Sequence, residues 1–180
     1  MNRSGKIPTW LTALITVAIS ALGIYLLVRL APSLLTNLEP KTNIQQPQEA
    51  PDFILEDTAG GKVKLSDFRG QPVILSFWTS WNEASVEELK TLDSYGTVQG
   101  GGLAIFAVNS LEDKNTVQEI KNRYNLNLKM LLDADGSVGE AYKIGVLPKT
   151  VFVDKGGLIV SEVDGPLSLS GIKGELAGMH

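Results

Sequence analysis

A chain of 180 residues has room for one ordinary domain plus a tail. With 43% hydrophobic and 20% charged residues it can supply a packed core, and its formal net charge is −4. There is no cysteine and a single histidine, His180 at the last position, which excludes disulfides, thiolate nucleophiles, iron–sulfur clusters and thiolate-bound zinc. A histidine general base and a multi-histidine metal site are excluded with them.

The first nine residues carry Arg3 and Lys6, and from Trp10 to Val28 there follow 19 residues without a charge. At 1.5 Å per residue such a run reaches about 28 Å, close to the roughly 30 Å hydrocarbon core of a bilayer. The pattern predicts a transmembrane anchor over 10–30, with residues 1–9 cytoplasmic and the rest extracytoplasmic by the positive-inside bias. Arg29 at the far end can snorkel. A cleaved signal peptide is the alternative, but the run exceeds the usual apolar length of about 7–15 residues and no clean A-x-A site follows. Residues 31–50 then read as a flexible linker, and "TNLEPKTNIQQPQEA" is almost free of apolar side chains. Four of the 16 basic and two of the 20 acidic residues precede residue 51, leaving 12 against 18, a net charge of −6. No patch rich in arginine and aromatics is present, which argues against a nucleic acid as partner.

From residue 51 onward the periodicity is that of an α/β domain. "DFILED" (52–57) and "KVKL" (62–65) flank the turn "TAGG", a probable hairpin. "PVILSFW" (72–78) is a continuous apolar run of strand length, the mark of a strand covered on both faces. A helix follows, with Val86, Leu89 and Leu92 at helical spacing. "LAIFAVN" (103–109) is a second buried strand, and "KNTVQEIKNRYN" (114–125) a second helix with Val117, Ile120 and Tyr124 on one face. "LKMLLDADG" (128–136) gives a short strand and a turn, and "SVGEAYKIGV" (137–146) a brief helix. "TVFVD" and "LIVSEV" flank "KGG" as a closing hairpin. "LSGIKGELAG" is a weak final helix, diluted by glycine. Alternating strands and helices predict a mainly parallel central sheet with antiparallel edge strands and flanking helices.

Read together, "APDFILEDTAGGKVKLSDFRGQPVILSFWTSW" and "GVLPKTVFVDKGGLIV" resemble the membrane-tethered thioredoxin-like proteins of bacteria grouped around TlpA and ResA, of the redoxin or AhpC-TSA type. The likeness covers residues 50–165 and implies a thioredoxin-like fold over 51–180. It places the two active-site cysteines of that family at Asn82 and Ser85. Neither an amide nor a hydroxyl can take part in thiol–disulfide exchange, so the dithiol chemistry of the family is impossible for this chain.

The residues left at that junction have other uses. Asn82 is a good N-cap, worth on the order of 1 kcal/mol over alanine, while Ser85 with Glu88 spells a capping box that would start the helix three residues later. A nucleophilic Ser85 lacks any nearby base. The resemblance sets Glu88 beside the site, where partial burial would raise its pKa; the competing reading points it to solvent with Glu87. It also implies that Pro148 is a cis-proline facing the helix N-terminus, that Leu147 offers backbone groups to an extended peptide, and that Trp81 covers the site. Trp78 reads as packing.

Three functions compete at this stage. One is a redox-inactive, membrane-anchored module that binds an extracytoplasmic protein or extended peptide segment through Trp81, Asn82, Ser85, Glu88, Leu147 and Pro148, with no catalytic residue, cofactor, metal or nucleic acid. The second is an oxidoreductase family member acting only through a partner's cysteines. The third is a structural subunit of a membrane complex.

Overall fold

The computed structural model describes residues 48–99 and 102–178, together with Ala18, Ala21, Leu22 and Tyr25. The chain divides into two compact units, Met1–Ile44 and Gln45–His180. In the first, the four described residues are helical and exposed. The anchor expected over 10–30 otherwise lies outside the described residues, and among those described no helix is long and apolar enough to cross a membrane.

The second unit is built on eight strands: β1 (Gln48–Glu49), β2 (Ile54–Asp57), β3 (Lys62–Lys64), β4 (Val73–Trp78), β5 (Ala104–Ser110), β6 (Lys129–Asp133), β7 (Lys149–Val153) and β8 (Leu158–Asp164). Among the described residues four α-helices accompany them, α1 (Glu83–Gln99), α2 (Lys114–Arg123), α3 (Ser137–Ala141) and α4 (Leu169–Ala177), with one 3-10 turn at Leu65–Phe68. The sheet order is β1-β8-β7-β4-β5-β6-β2-β3.

Every residue of β4 is buried, as its continuous apolar run predicts. Val73, Leu75 and Phe77 face one core with Phe53, Leu65, Val138 and Tyr142. Ile74 and Trp78 face a second core with Leu89 and Leu92 of α1, Val117 and Ile120 of α2, and Ile172 of α4. Ile74, Leu75 and Phe77 are wholly removed from water, each contributing roughly 1.5–3 kcal/mol of burial.

The sheet corrects the expected polarity. Only β4–β5 and β5–β6 are parallel; the other five pairings are antiparallel. The alternation of strands and helices misleads at β6–α3–β7. A five-residue helix advances about 7 Å, whereas retracing a five-residue strand needs about 16 Å. The helix expected over 137–146 stops at Ala141, and Lys143 turns the chain with a φ of 53°. The chain therefore cannot return to the far side of the sheet. It crosses the ends of β5 and β4 and starts β7 where β4 stops, running the opposite way. That reversal sets Leu147 and Pro148, which precede β7, beside the segment that leaves β4.

Candidate functional site: a sulfur-free strand-to-helix junction

β4 ends at Trp78 and α1 begins at Glu83, with residues 79–82 between them. Asn82 starts the helix. Its carbonyl accepts the Val86 N–H at 3.2 Å and its Oδ1 accepts the Ser85 N–H at 3.1 Å, the two bonds of an N-cap. The remaining amide nitrogen, Nδ2, donates to the Leu147 carbonyl at 2.9 Å. One side chain thus caps α1 and ties it to the loop before β7. The capping box at Ser85 and Glu88 does not form. Ser85 is fully buried with no hydrogen-bond partner for its Oγ, and Glu88 points inward.

Glu88 is 1% exposed, so the solvated reading is overturned. Its Oε1 accepts from Ser76 Oγ at 2.8 Å and Thr150 Oγ1 at 2.7 Å, and its Oε2 accepts the Leu167 N–H at 2.8 Å. Loss of water pushes its pKa upward, and the three donors pull partly the other way. The carboxylate joins α1 to β4, β7 and the approach to α4. It serves as a core fastening beneath the junction and does not face the surface.

The loop itself is held by a residue that sequence reasoning did not single out. Glu112 accepts the Ser80 N–H at 2.8 Å and the Ser80 hydroxyl at 2.5 Å, and it also takes a bond from Asn109 Nδ2 at 2.6 Å. An asparagine at the end of an otherwise apolar strand was the available signal, because a buried amide requires a partner nearby. With Ser80 fixed in this way, the next residue, Trp81, stands 74% exposed while Trp78 is fully buried.

Leu147 and Pro148 are joined by a cis peptide bond. Pro148 is buried, Leu147 half-buried, and the Pro148 carbonyl accepts the Gly165 N–H at 2.8 Å. The next residue, Lys149, is paired with Glu162 at 2.7 Å and Asp164 at 3.4 Å. Of the six expected site residues, Asn82 and Leu147 are in direct contact and Pro148 adjoins them. Trp81 stands at the surface, and Ser85 and Glu88 lie inside. A groove of about 470 Å³ between β2 and α3, lined by Phe53, Leu55, Val138 and Tyr142 among others, contains none of the six.

Chemically this junction offers an amide clamp, a flat indole and backbone groups. It holds no sulfur for electron exchange and no base beside Ser85. Among the described residues no cluster of acidic or histidine side chains is placed to hold a metal ion.

Comparison with known proteins agrees with this geometry. Residues 47–162 match the AhpC/TSA family. The chain is 35% identical over 131 residues to the thiol-disulfide oxidoreductase ResA of Bacillus subtilis, covering 72% of this chain and 73% of that one. It is 31% identical over 159 residues to ResA of Geobacillus kaustophilus, covering 87% and 91%. Among solved structures, the exposed lipoprotein thioredoxin Etrx1 of Streptococcus pneumoniae superposes with a TM-score of 0.62 at 29% identity, over 71% of this chain and 99% of that one. With both cysteine positions of the motif replaced and the surrounding frame kept, the chain belongs to the AhpC/TSA family as a ResA-like, thioredoxin-fold member without dithiol chemistry.

Proposed function

We propose that this chain is a redox-inactive binding module that holds an extended protein segment on the extracytoplasmic side of the cell, against the surface formed by Trp81, Asn82, Leu147 and Pro148. The observation that carries this reading is the exposure of Trp81 on a loop fixed by Glu112 and beside a loop fixed by Asn82. A large indole held rigidly in water loses little entropy on binding and offers wide apolar contact, which is why tryptophan recurs in binding hot spots. The Leu147 carbonyl already accepts one bond, and its second lone pair remains available to an added strand. The exposed lipoprotein relative supports the extracytoplasmic placement. Ser85 and Glu88 act in this reading as supports beneath the surface.

Affinity capture from the cell envelope tests it, comparing the parent chain with Trp81→Ala and Leu147→Arg. Trp81→Ala should keep its thermal midpoint within about 2 °C, because a change at so exposed a side chain costs about 0.5 kcal/mol. Leu147 packs against the core, so Leu147→Arg should lower the midpoint by several degrees, and its capture is compared at a temperature where it stays folded. A partner retained by the parent and lost by both is the expected result. Equal capture by all three refutes the reading.

A further inference from the structure

The end of the sheet where β4, β5 and β6 stop and β7 begins gathers four loops. Register keeps them side by side, with Trp78 level with Asn109, Ser110 with Asp133 and Phe77 with Lys149. Three of these loops hold large apolar side chains in water: Trp81 is 74% exposed, Leu111 70% and Val146 53%. In strand order they form a row, Val146 before β7, Trp81 after β4 and Leu111 after β5.

Leu111 is the informative member of this row. Its φ of 62° lies in the left-handed region, which branched side chains rarely occupy. The conformation is pinned by a bond from its N–H to the Asp133 carbonyl at 3.0 Å. Its side chain lies against Gly136, where an added Cβ would come within 2.8 Å of Leu111 Cδ2. The backbone thus bears strain to hold an apolar side chain in solvent. Folding alone would favour glycine at this position, on both backbone and solvation grounds.

The same end is acidic. Glu112, Asp113 and Asp135 lie in the loops and Glu83 and Glu140 lie in the first turns of the adjoining helices; against them stand Lys114, Lys143 and Lys149, of which Lys114 pairs with Glu56 and Lys149 with Glu162 and Asp164. Among the described residues none of these five carboxylates forms an ion pair.

We infer that this rim selects the partner: it takes an extended segment whose apolar side chains rest on Val146, Trp81 and Leu111 and whose flanking residues are lysine or arginine. The inference rests on the binding reading given above and extends it across β5. Strands spaced about 4.8 Å apart make the row roughly 10 Å wide, which three or four extended residues span. Basic flanks would then meet the carboxylates, so that charge sets the choice of partner and the apolar row holds it.

Fluorescence anisotropy on the full-length chain tests this with two labelled peptides. Both alternate valine and threonine in the middle; one has Lys-Arg at each end and the other Asp-Glu. The basic-ended peptide should bind at least about tenfold more tightly. Leu111→Gly should weaken it about tenfold while the thermal midpoint stays equal or rises. Binding unaffected by Leu111→Gly, affinity that falls only in step with stability, equal binding of the two peptides, or no binding of either overturns the inference. A dimer in sedimentation that Leu111→Gly dissociates also overturns it, in favour of a second copy of this chain. Leu147→Arg separates the two proposals. Loss there with Leu111→Gly unaffected refutes the rim and leaves the surface at Trp81, Asn82, Leu147 and Pro148; loss with Leu111→Gly alone refutes that surface and leaves the rim.

Discussion

Replacing Asn82 by alanine removes two interactions at once. The Ser85 N–H loses its cap, which typically costs about 1 kcal/mol. The Leu147 carbonyl loses the amide donor, a net contribution of about another 1 kcal/mol. Solvent reaches this half-buried site and can replace part of the second bond, so the combined loss is about 1.5–2 kcal/mol. For a domain of this size each kcal/mol lowers the thermal midpoint by roughly 3–5 °C, giving a fall of about 5–10 °C. Asn82→Ser separates the two parts, because a serine hydroxyl caps a helix but cannot span to Leu147. Its midpoint should fall about half as far. Differential scanning calorimetry measures both variants, and amide hydrogen exchange at residues 145–147 should quicken in each. Equal midpoints for serine and alanine would show that the cap contributes nothing, a serine midpoint equal to that of the parent would show that the link to Leu147 contributes nothing, and a loss below about 2 °C in Asn82→Ala would refute the dual role.

Glu88→Ala leaves the hydroxyls of Ser76 and Thr150 and the Leu167 N–H facing a void; denaturant titration should show a loss of about 3–5 kcal/mol. Glu88 also gives stability a pH dependence. Its folded pKa is raised, so the folded state holds the proton more tightly, and its contribution is full below the unfolded value of 4.5 and declines as pH rises towards the folded value. Glu88→Gln should flatten that decline in unfolding titrations run from below pH 4.5 upward; an unchanged pH profile would contradict the burial argument. Ser85→Ala removes a buried hydroxyl that bonds to nothing, so the midpoint should hold or rise by a few degrees and peptide binding should not change. Asn82→Cys combined with Ser85→Cys should give measurable insulin reduction, the thiol at 82 attacking from its half-buried position and the one at 85 resolving from within. A folded but inactive double variant would show that the frame no longer supports exchange.

Much of this architecture was legible in the chain itself. The apolar runs at 72–78 and 103–109 read as strands covered on both faces; every residue of β4 is buried, and β5 is buried except at Ile105 and Ser110, which are half-buried. Asn82 and the Ser85–Glu88 pair were both good caps by side-chain chemistry, and only the family resemblance favoured Asn82, which is the cap that forms. Sheet polarity was not legible, because it depends on whether residues 137–146 form a helix long enough to retrace a strand. Lys143 ends that helix through a conformation its residue type does not announce. The orientation of Glu88 could have been read. Ser85, Glu88, Leu89 and Leu92 stand at i, i+3, i+4 and i+7, so the carboxylate shares the apolar face of α1. Glu112 was hidden for a different reason. Its partner Ser80 lies 32 residues away, and only the parallel pairing of β4 with β5 brings the two together.

The contact between Asn82 and Leu147 carries one more implication. A dithiol at this junction would exist in two oxidation states, and the shape of the adjoining surface would follow the reduction potential of its surroundings. An amide has no second oxidation state. The contact between α1 and the loop before β7 is therefore the same in an oxidising compartment and in a reducing one, and whatever rests against it is held without regard to ambient electron supply.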